Sequence, residues 1–250
     1  MKPALVSDVK KALETIGFGK VIKVDEKPET GNAKQEDLQI LDRSPSILVE
    51  VKGISGLPRE NDTLQVVKYI PRRTKEWNRT DVCGASIINH QKYLPPLDRA
   101  NETAFTQQQV EDAKHRDIVL LTTWELFQFV RGLSKFGWPQ SAVQNLFYAN
   151  GRIAPVPANY RLVGKVSHYY DELAVVIIEL CDELKIGDTV GYALPTGFVQ
   201  ESVTSLQVDQ KPVSEAHAGQ SVGHKTLRPR TELKDGLPVY VVEPEVRHKG

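Results

Sequence analysis

Asp37, Glu50 and Lys52 are the residues of this chain whose types and spacing could do chemistry. Glu50 and Lys52 interrupt an otherwise apolar run, Ile47-Leu48-Val49-Glu50-Val51-Lys52. Side chains alternate faces along a strand. Ile47, Val49 and Val51 would therefore share one face, and Leu48, Glu50 and Lys52 the other. In the segment before it, Asp37, Gln39 and Leu41 alternate with Leu38 and Ile40. If the two segments pair as a hairpin, Asp37 and Glu50 come together on one polar face. Two close carboxylates raise a pKa or recruit a cation. A hard divalent ion such as Mg²⁺ takes a few carboxylate oxygens and completes its shell with water and phosphate. Lys52, one strand step away, could then stabilise charge on a phosphoryl group or orient an attacking water.

An isolated Glu-x-Lys is common, and a solvated hairpin face would explain it equally well. Four neighbours strengthen the chemical reading: the apolar run before it, Gly53 at its end, Asp37 thirteen residues upstream, and Gln65 in Leu64-Gln65-Val66-Val67-Lys68-Tyr69.

The elements that must position these residues follow from periodicity. Residues 3–16 read as a helix, with Leu5, Val9, Leu13 and Ile16 at helical spacing and Pro3 in a first turn. Strands are expected at 21–24, 35–41, 47–52, 82–88 and 118–122, with a polar turn at 25–34. Helices are expected at 64–70, 106–114, 124–133 and 141–148. Alternating strands and helices indicate an α/β domain. Residues 151–159, with Pro155 and Pro157, read as a linker. From 160 onward, short strands at 163–166, 174–180, 189–193, 202–208, 221–225 and 239–242 are broken by Gly, Asp and Pro. That spacing predicts a small antiparallel barrel.

In this order of elements, residues 34–70 resemble the motif core of the PD-(D/E)XK, or restriction-endonuclease-like, superfamily. The resemblance extends over about residues 3–135 and implies a mixed sheet flanked by helices. It implies Mg²⁺ or Mn²⁺ as cofactor, held by Asp37, Glu50 and the backbone carbonyl of Val51. Lys52 becomes the catalytic lysine and Gln65 a supporting residue, with Glu14 a weaker match to an accessory acidic position. The implied activity is phosphodiester hydrolysis of nucleic acid, DNA in preference to RNA. The sequence departs from the pattern at Glu36, where proline would precede the first carboxylate; Glu36 would add charge to the site. Members that have lost activity also exist, so the alternative is an inactive scaffold binding nucleic acid or protein.

Residues 160–243 resemble the second domain of elongation factor Tu and related translation factors. The match rests on Val163-Gly164-Lys165-Val166, Leu184-Lys185-Ile186-Gly187-Asp188-Thr189-Val190 and Val203 to Val208. Ala218-Gly219, Val222-Gly223 and Asp235-Gly236 complete it. A similar barrel ends some U32-type peptidases, but nothing in the first half supports peptidase chemistry. No G-x-x-x-x-G-K-[ST] loop occurs, so the barrel is not part of a GTPase. It is expected to be an accessory module, with a protein partner or homodimer through it left open.

Composition narrows the rest. Lys plus Arg number 32 and Asp plus Glu 32, a net charge of zero, which is not the balance of a constitutively basic nucleic-acid binder. A nucleic-acid surface must therefore be local. The candidate is Lys68, Arg72, Arg73, Lys75 and Arg79, interleaved with Tyr69 and Trp77; a solvated helix end is the rival reading. Cys83 and Cys181 are expected to be buried free thiols, which with the lack of a long apolar stretch points to the cytoplasm and no membrane. None of the six histidines has zinc-ligand spacing. The expected architecture is a nuclease-like α/β domain over 1–150, a linker over 151–159 and an all-β barrel over 160–250.

Overall fold

The computed structural model describes residues 2–24, 35–156, 159–194 and 197–243. The turn expected at 25–34 lies outside the described residues. The chain divides into two compact units, Met1–Pro155 and Val156–Gly250.

The first unit opens with α1 (Lys2–Ile16), whose buried Val6, Val9, Leu13 and Ile16 form one stripe. Then come β1 (Val21–Lys23), β2 (Leu38–Ile40), β3 (Ser46–Gly53), α2 (Glu60–Thr63) and α3 (Ile70–Trp77). The unit continues with β4 (Val82–Asn89), α4 (Gln107–His115), β5 (Ile118–Thr122), α5 (Thr123–Phe136), α6 (Gln140–Leu146) and β6 (Gly151–Arg152). The six strands form one sheet in sequence order. β1, β2 and β3 are antiparallel, and β3 to β6 run parallel. This is a mixed α/β sheet with β3 at its interior. Ser46 to Val51 are buried. The face carrying Leu48 is therefore covered: Leu48 packs with Val66, Tyr69, Ile88, Phe105 and Leu120 in one core.

Two local departures from the sequence reading have simple causes. The helix expected over 64–70 is instead a 3₁₀ turn, Gln65–Lys68, between α2 and α3. Pro71 fits a first helical turn but not a helix interior, so α3 starts there and carries Arg72, Arg73 and Lys75. It ends at Asn78 in the left-handed conformation. β6 is two residues long, too short to show periodicity, yet its pairing with β5 extends the first sheet past residue 150.

The second unit is built of antiparallel strands: β7 (Tyr160–Tyr170), β8 (Val175–Leu180), β9 (Leu184–Lys185), β10 (Thr189–Leu194) and β11 (Gly197–Ser202). β12 (Leu206–Val208), β13 (Lys211–Val213), β14 (Glu215–Ala216), β15 (Ser221–Lys225) and β16 (Pro238–Val242) complete it. Eight of them form a sheet ordered β11-β10-β16-β7-β8-β15-β12-β13, and β9 pairs with β14. Val190 and Tyr192 of β10 share one core with Leu206 of β12, although those strands lie near opposite ends of the sheet order. The sheet therefore curls around a single apolar interior. The single strand expected over 202–208 is divided between β11 and β12.

Both cysteines are free, but Cys181 is exposed, in the turn after β8, and so departs from the expected burial. Cys83 is half-buried, and burial pushes its thiol up to about 11. Among the described residues no helix is long and apolar enough to cross a membrane.

Candidate functional site

β2 and β3 pair with Leu38 opposite Val49. That register ends there, and just before β2 the Asp37 N–H donates to the carbonyl of the same Val49 at 3.0 Å. The hairpin thus brings the Asp37 side chain beside the segment of β3 that carries Glu50. Both are buried, Asp37 at 7% and Glu50 at 1% exposure. Asp37 Oδ2 accepts from the Val51 N–H at 2.8 Å.

Both carboxylates meet the same cation. Lys2 Nζ, from the first turn of α1, lies 2.9 Å from Asp37 Oδ1 and 3.7 Å from Glu50 Oε1. Gln65 Nε2 donates to Glu50 Oε1 at 2.8 Å and to the Tyr69 hydroxyl at 2.9 Å. Gln65 lies in the 3₁₀ turn, which rests closely on β4. A Cβ added at Gly84 would come within 2.9 Å of Val66, and Ser86 Oγ donates to the Thr63 carbonyl at 2.7 Å. Burial raises the pKa of Tyr69, and the Glu50 charge adds to the effect although the Gln65 bond opposes it.

Lys52 follows Glu50 on the same face but reaches another partner. Its Nζ donates to Asp62 Oδ1 and to the Asn61 carbonyl, both at 3.1 Å. Asp62 Oδ2 also accepts from the Arg59 N–H at 3.0 Å, fixing the start of α2. Burial alone would raise the Asp62 pKa; the Arg59 N–H and the Lys52 ammonium outweigh it and lower it. Beside these groups lies a cavity of about 450 Å³, whose lining includes Lys2, Glu50, Lys52, Gln65, Lys92 and Tyr93.

The structure thus groups Asp37, Glu50 and Gln65, and places Lys52 on the same cavity. Val51 lines it too, with its N–H turned to Asp37. Glu14 lies elsewhere, exposed and paired with Lys10. Glu36 directs its charge away from the site: its Oε1 accepts from Gln39 Nε2 at 2.6 Å and Arg73 Nε at 2.7 Å. Of the basic segment, Arg73 is largely buried and also bound to Glu76 and Gln35. Arg72 pairs with Glu76, and Arg79 with Asp81. Lys68 and Lys75 are exposed. His90 is buried at the end of β4 and is not on the cavity; burial, then Arg99 and Arg152, lower its pKa.

Sequence reasoning missed Lys2, Asp62, Lys92 and Tyr93, and placed Tyr69 on a nucleic-acid surface rather than beside Gln65. Asp62 carried a signal, since it and Glu60 are acidic residues of the kind enriched in a first helical turn. Lys2 carried none, because a lysine in a first helical turn is otherwise unremarked.

Comparison with known proteins gives partial matches. No family model matches the chain. Over 85 residues, 34% of the chain, it is 42% identical to a Methanocaldococcus jannaschii protein named as an uncharacterized protease. The chain spans 20% of that relative's length. The C-terminal domain of a Geobacillus thermoleovorans protein described as a U32 peptidase is 19% identical, covering 32% of this chain and 98% of its own, with a TM-score of 0.30. The small subunit of the heterodimeric restriction endonuclease R.BspD6I is 15% identical over 58% of this chain and 76% of its own, with a TM-score of 0.34. Translation elongation factor SelB of Methanococcus maripaludis is 13% identical over 97% of this chain and 54% of its own, with a TM-score of 0.28.

Proposed function

We propose that the first unit is a metal-dependent nuclease domain that hydrolyses phosphodiester bonds, DNA in preference to RNA. The observation that carries this reading is the convergence of Asp37 and Glu50 on one ammonium beside a cavity that Lys52 also lines. Two carboxylates offering oxygen to one cation suit Mg²⁺ or Mn²⁺, which fill their remaining positions with water and substrate oxygens. Among the described residues no group of three or more His, Cys, Asp or Glu side chains could hold a metal, so a closed structural zinc site does not fit. Asp37, Glu50 and the Val51 carbonyl would hold the ion. When bound, it would polarise a phosphoryl oxygen and acidify a water.

The chain's own residues do the rest. Gln65 fixes the Glu50 carboxylate, and Tyr69 fixes Gln65. Lys52 brings a positive charge to the cavity, positioned by Asp62, to neutralise charge developing on phosphate. The second unit acts as an accessory module that docks a partner.

The test is cleavage by the purified full chain of single-stranded and duplex DNA with Mg²⁺ or Mn²⁺, stopped by chelator. Glu50→Ala and Lys52→Ala are expected to abolish cleavage with the fold retained. Unchanged cleavage in both variants would sink the reading. The name of the M. jannaschii relative suggests peptidase chemistry, which the same preparation tests on casein. Among the described residues the cavity is lined by no serine, threonine or cysteine.

The second reading is a non-catalytic scaffold binding nucleic acid or protein. It is favoured by Lys52 being held by Asp62 and by Lys2 lying between the carboxylates. Mg²⁺ titration by calorimetry separates the two: heat that vanishes in Glu50→Ala supports the nuclease, and no heat supports the scaffold.

A further inference from the structure

We infer that Tyr93 and Lys92 form a stacking platform for an unpaired base of a nucleic-acid strand. The inference rests on the nucleic-acid reading of the adjacent cavity.

The turn after β4 is fixed to the end of β3. The Ile54 N–H donates to Asn89 at 2.9 Å, the Lys92 N–H to Ile54 at 3.1 Å and the Gln91 N–H to Gly56 at 3.1 Å. The Leu94 N–H closes the turn on Gln91 at 2.8 Å, and Gln91 Oε1 accepts from the Ala100 N–H at 2.8 Å. On this anchored turn Tyr93 is 74% exposed, although it lines the cavity with Glu50 and Lys52. A lone exposed aromatic is ordinary; an aromatic on a fixed turn at the wall of a charged cavity is more specific. Lys92 Nζ lies 5.1 Å from the Tyr93 ring centroid and 3.4 Å from the Gly53 carbonyl. It makes no ion pair among the described residues.

Charge selects the occupant. Of the lining cations, Lys2 is paired with Asp37 and Glu50 and Lys52 with Asp62, which leaves the Lys92 ammonium to meet an anion. An anionic polymer with a flat ring at regular intervals satisfies both features: phosphate meets Lys92, and a base stacks on Tyr93. Bases within a duplex have both faces covered, so the ring engages a single strand, flap or overhang. Helix α3 offers less for this purpose, because Arg72 and Arg73 are already engaged with Glu36 and Glu76.

The experiment is fluorescence anisotropy with the full chain in EDTA and low salt. The probes are a fluorescein-labelled single-stranded oligodeoxynucleotide, a blunt duplex of the same sequence, and that duplex with a single-stranded tail. The single strand and the tailed duplex are expected to bind more tightly than the blunt duplex. Tyr93→Ala should weaken binding of the two former by about 5- to 100-fold, and Tyr93→Trp should preserve it. The fluorescence that Tyr93→Trp adds should be quenched by single strand and not by blunt duplex. Lys92→Gln should reduce the salt slope by about 0.7.

Equal binding of blunt duplex and single strand, or unchanged binding by Tyr93→Ala, overturns the inference. So does loss of binding in Lys68→Gln with Lys75→Gln while Tyr93→Ala binds normally. If the chain binds strands through Tyr93 and never cuts, the nuclease reading fails and this one stands. If it cuts and Tyr93→Ala binds and cuts as wild type does, this inference alone fails.

Discussion

Glu50 in the first unit and Glu201 in the second are both deeply set carboxylates, but their surroundings differ in kind. Glu201 Oε1 accepts from Thr226 Oγ1 at 2.5 Å and faces His224 Nε2 at 3.3 Å. Its Oε2 accepts from the Leu227 N–H at 3.0 Å, and His224 is itself fully buried. Glu50 borders a cavity and shares with a second carboxylate, Asp37, the ammonium of a half-exposed lysine. A carboxylate met by fixed internal donors stabilises a fold. A pair of carboxylates sharing one partly exposed cation at a cavity can exchange that cation for another.

Replacing each glutamate by its neutral isostere sharpens this contrast most. Glu50→Gln keeps an oxygen for Gln65 and relieves repulsion with Asp37. It should lower cleavage by about a thousandfold, the effect of losing several kcal/mol of transition-state stabilisation, without lowering the thermal transition. Glu201→Gln should do the reverse, leaving cleavage intact and costing about 3 kcal/mol of stability by breaking a buried pair. The units can be told apart because Trp77, Trp124 and Trp138 all belong to the first. Tryptophan fluorescence should therefore follow the first unit, and calorimetry should reveal the loss in Glu201→Gln. A Glu50→Gln protein that unfolds early would erase the distinction.

Acid provides the next contrast. Burial alone would raise the Glu201 pKa; His224, Thr226 and the Leu227 N–H overcome that and hold it at about 2, below its ordinary 4.5. A carboxylate with a lowered folded pKa contributes stability that is full above the ordinary value and is lost as pH falls through the folded one. The calorimetric transition of the second unit should fall between about pH 4.5 and pH 2, and Glu201→Gln should flatten that slope. An equal slope in the variant would assign the acid sensitivity to other groups.

Why one carboxylate could be singled out in the sequence and the other could not is a matter of range. Asp37 and Glu50 come together locally, because β2 and β3 are sequential neighbours in an antiparallel pair. The face around Leu48 was expected to be polar because alternation says nothing about what covers a strand. Val66, Phe105 and Leu120 cover it from distant parts of the chain. The basic segment was legible as charge but not as pairing: Arg73 meets Glu36 across 37 positions. Lys2 reaches the site only because α1, which it begins, packs against β3. In the second unit, β8 and β15 are visible by alternation, whereas the break at 203–205 depends on which strands receive the flanking residues.

Gln65→Ala tests a smaller part of the same comparison. Gln65 bonds Glu50 while leaving the cavity open, so it should orient the carboxylate rather than bury it. Loss of a partner that orients a ligand costs about 10- to 100-fold in metal affinity. Mn²⁺ binding followed by electron paramagnetic resonance measures this without cleavage. Full affinity in Gln65→Ala would mean that β3 alone fixes Glu50.

The smallest effect is expected at Lys2, and its sign decides the comparison. The Lys2 side chain is 38% exposed and lies within 2.9 Å of Asp37 and 3.7 Å of Glu50. A divalent ion bound by those carboxylates must displace the ammonium, so wild-type affinity includes the cost of breaking its ion pairs. Because the ammonium is more than a third exposed, solvent screening holds these pairs to about 1 kcal/mol. Lys2→Ala should therefore tighten Mn²⁺ binding by up to about fivefold, with the advantage shrinking as salt screens the ammonium in the wild type. The tryptophan transition should hardly move. A weaker Mn²⁺ affinity in Lys2→Ala would show that Lys2 holds the carboxylates in place, as His224 and Thr226 hold Glu201, and the two regions would then be structural charge clusters of one kind.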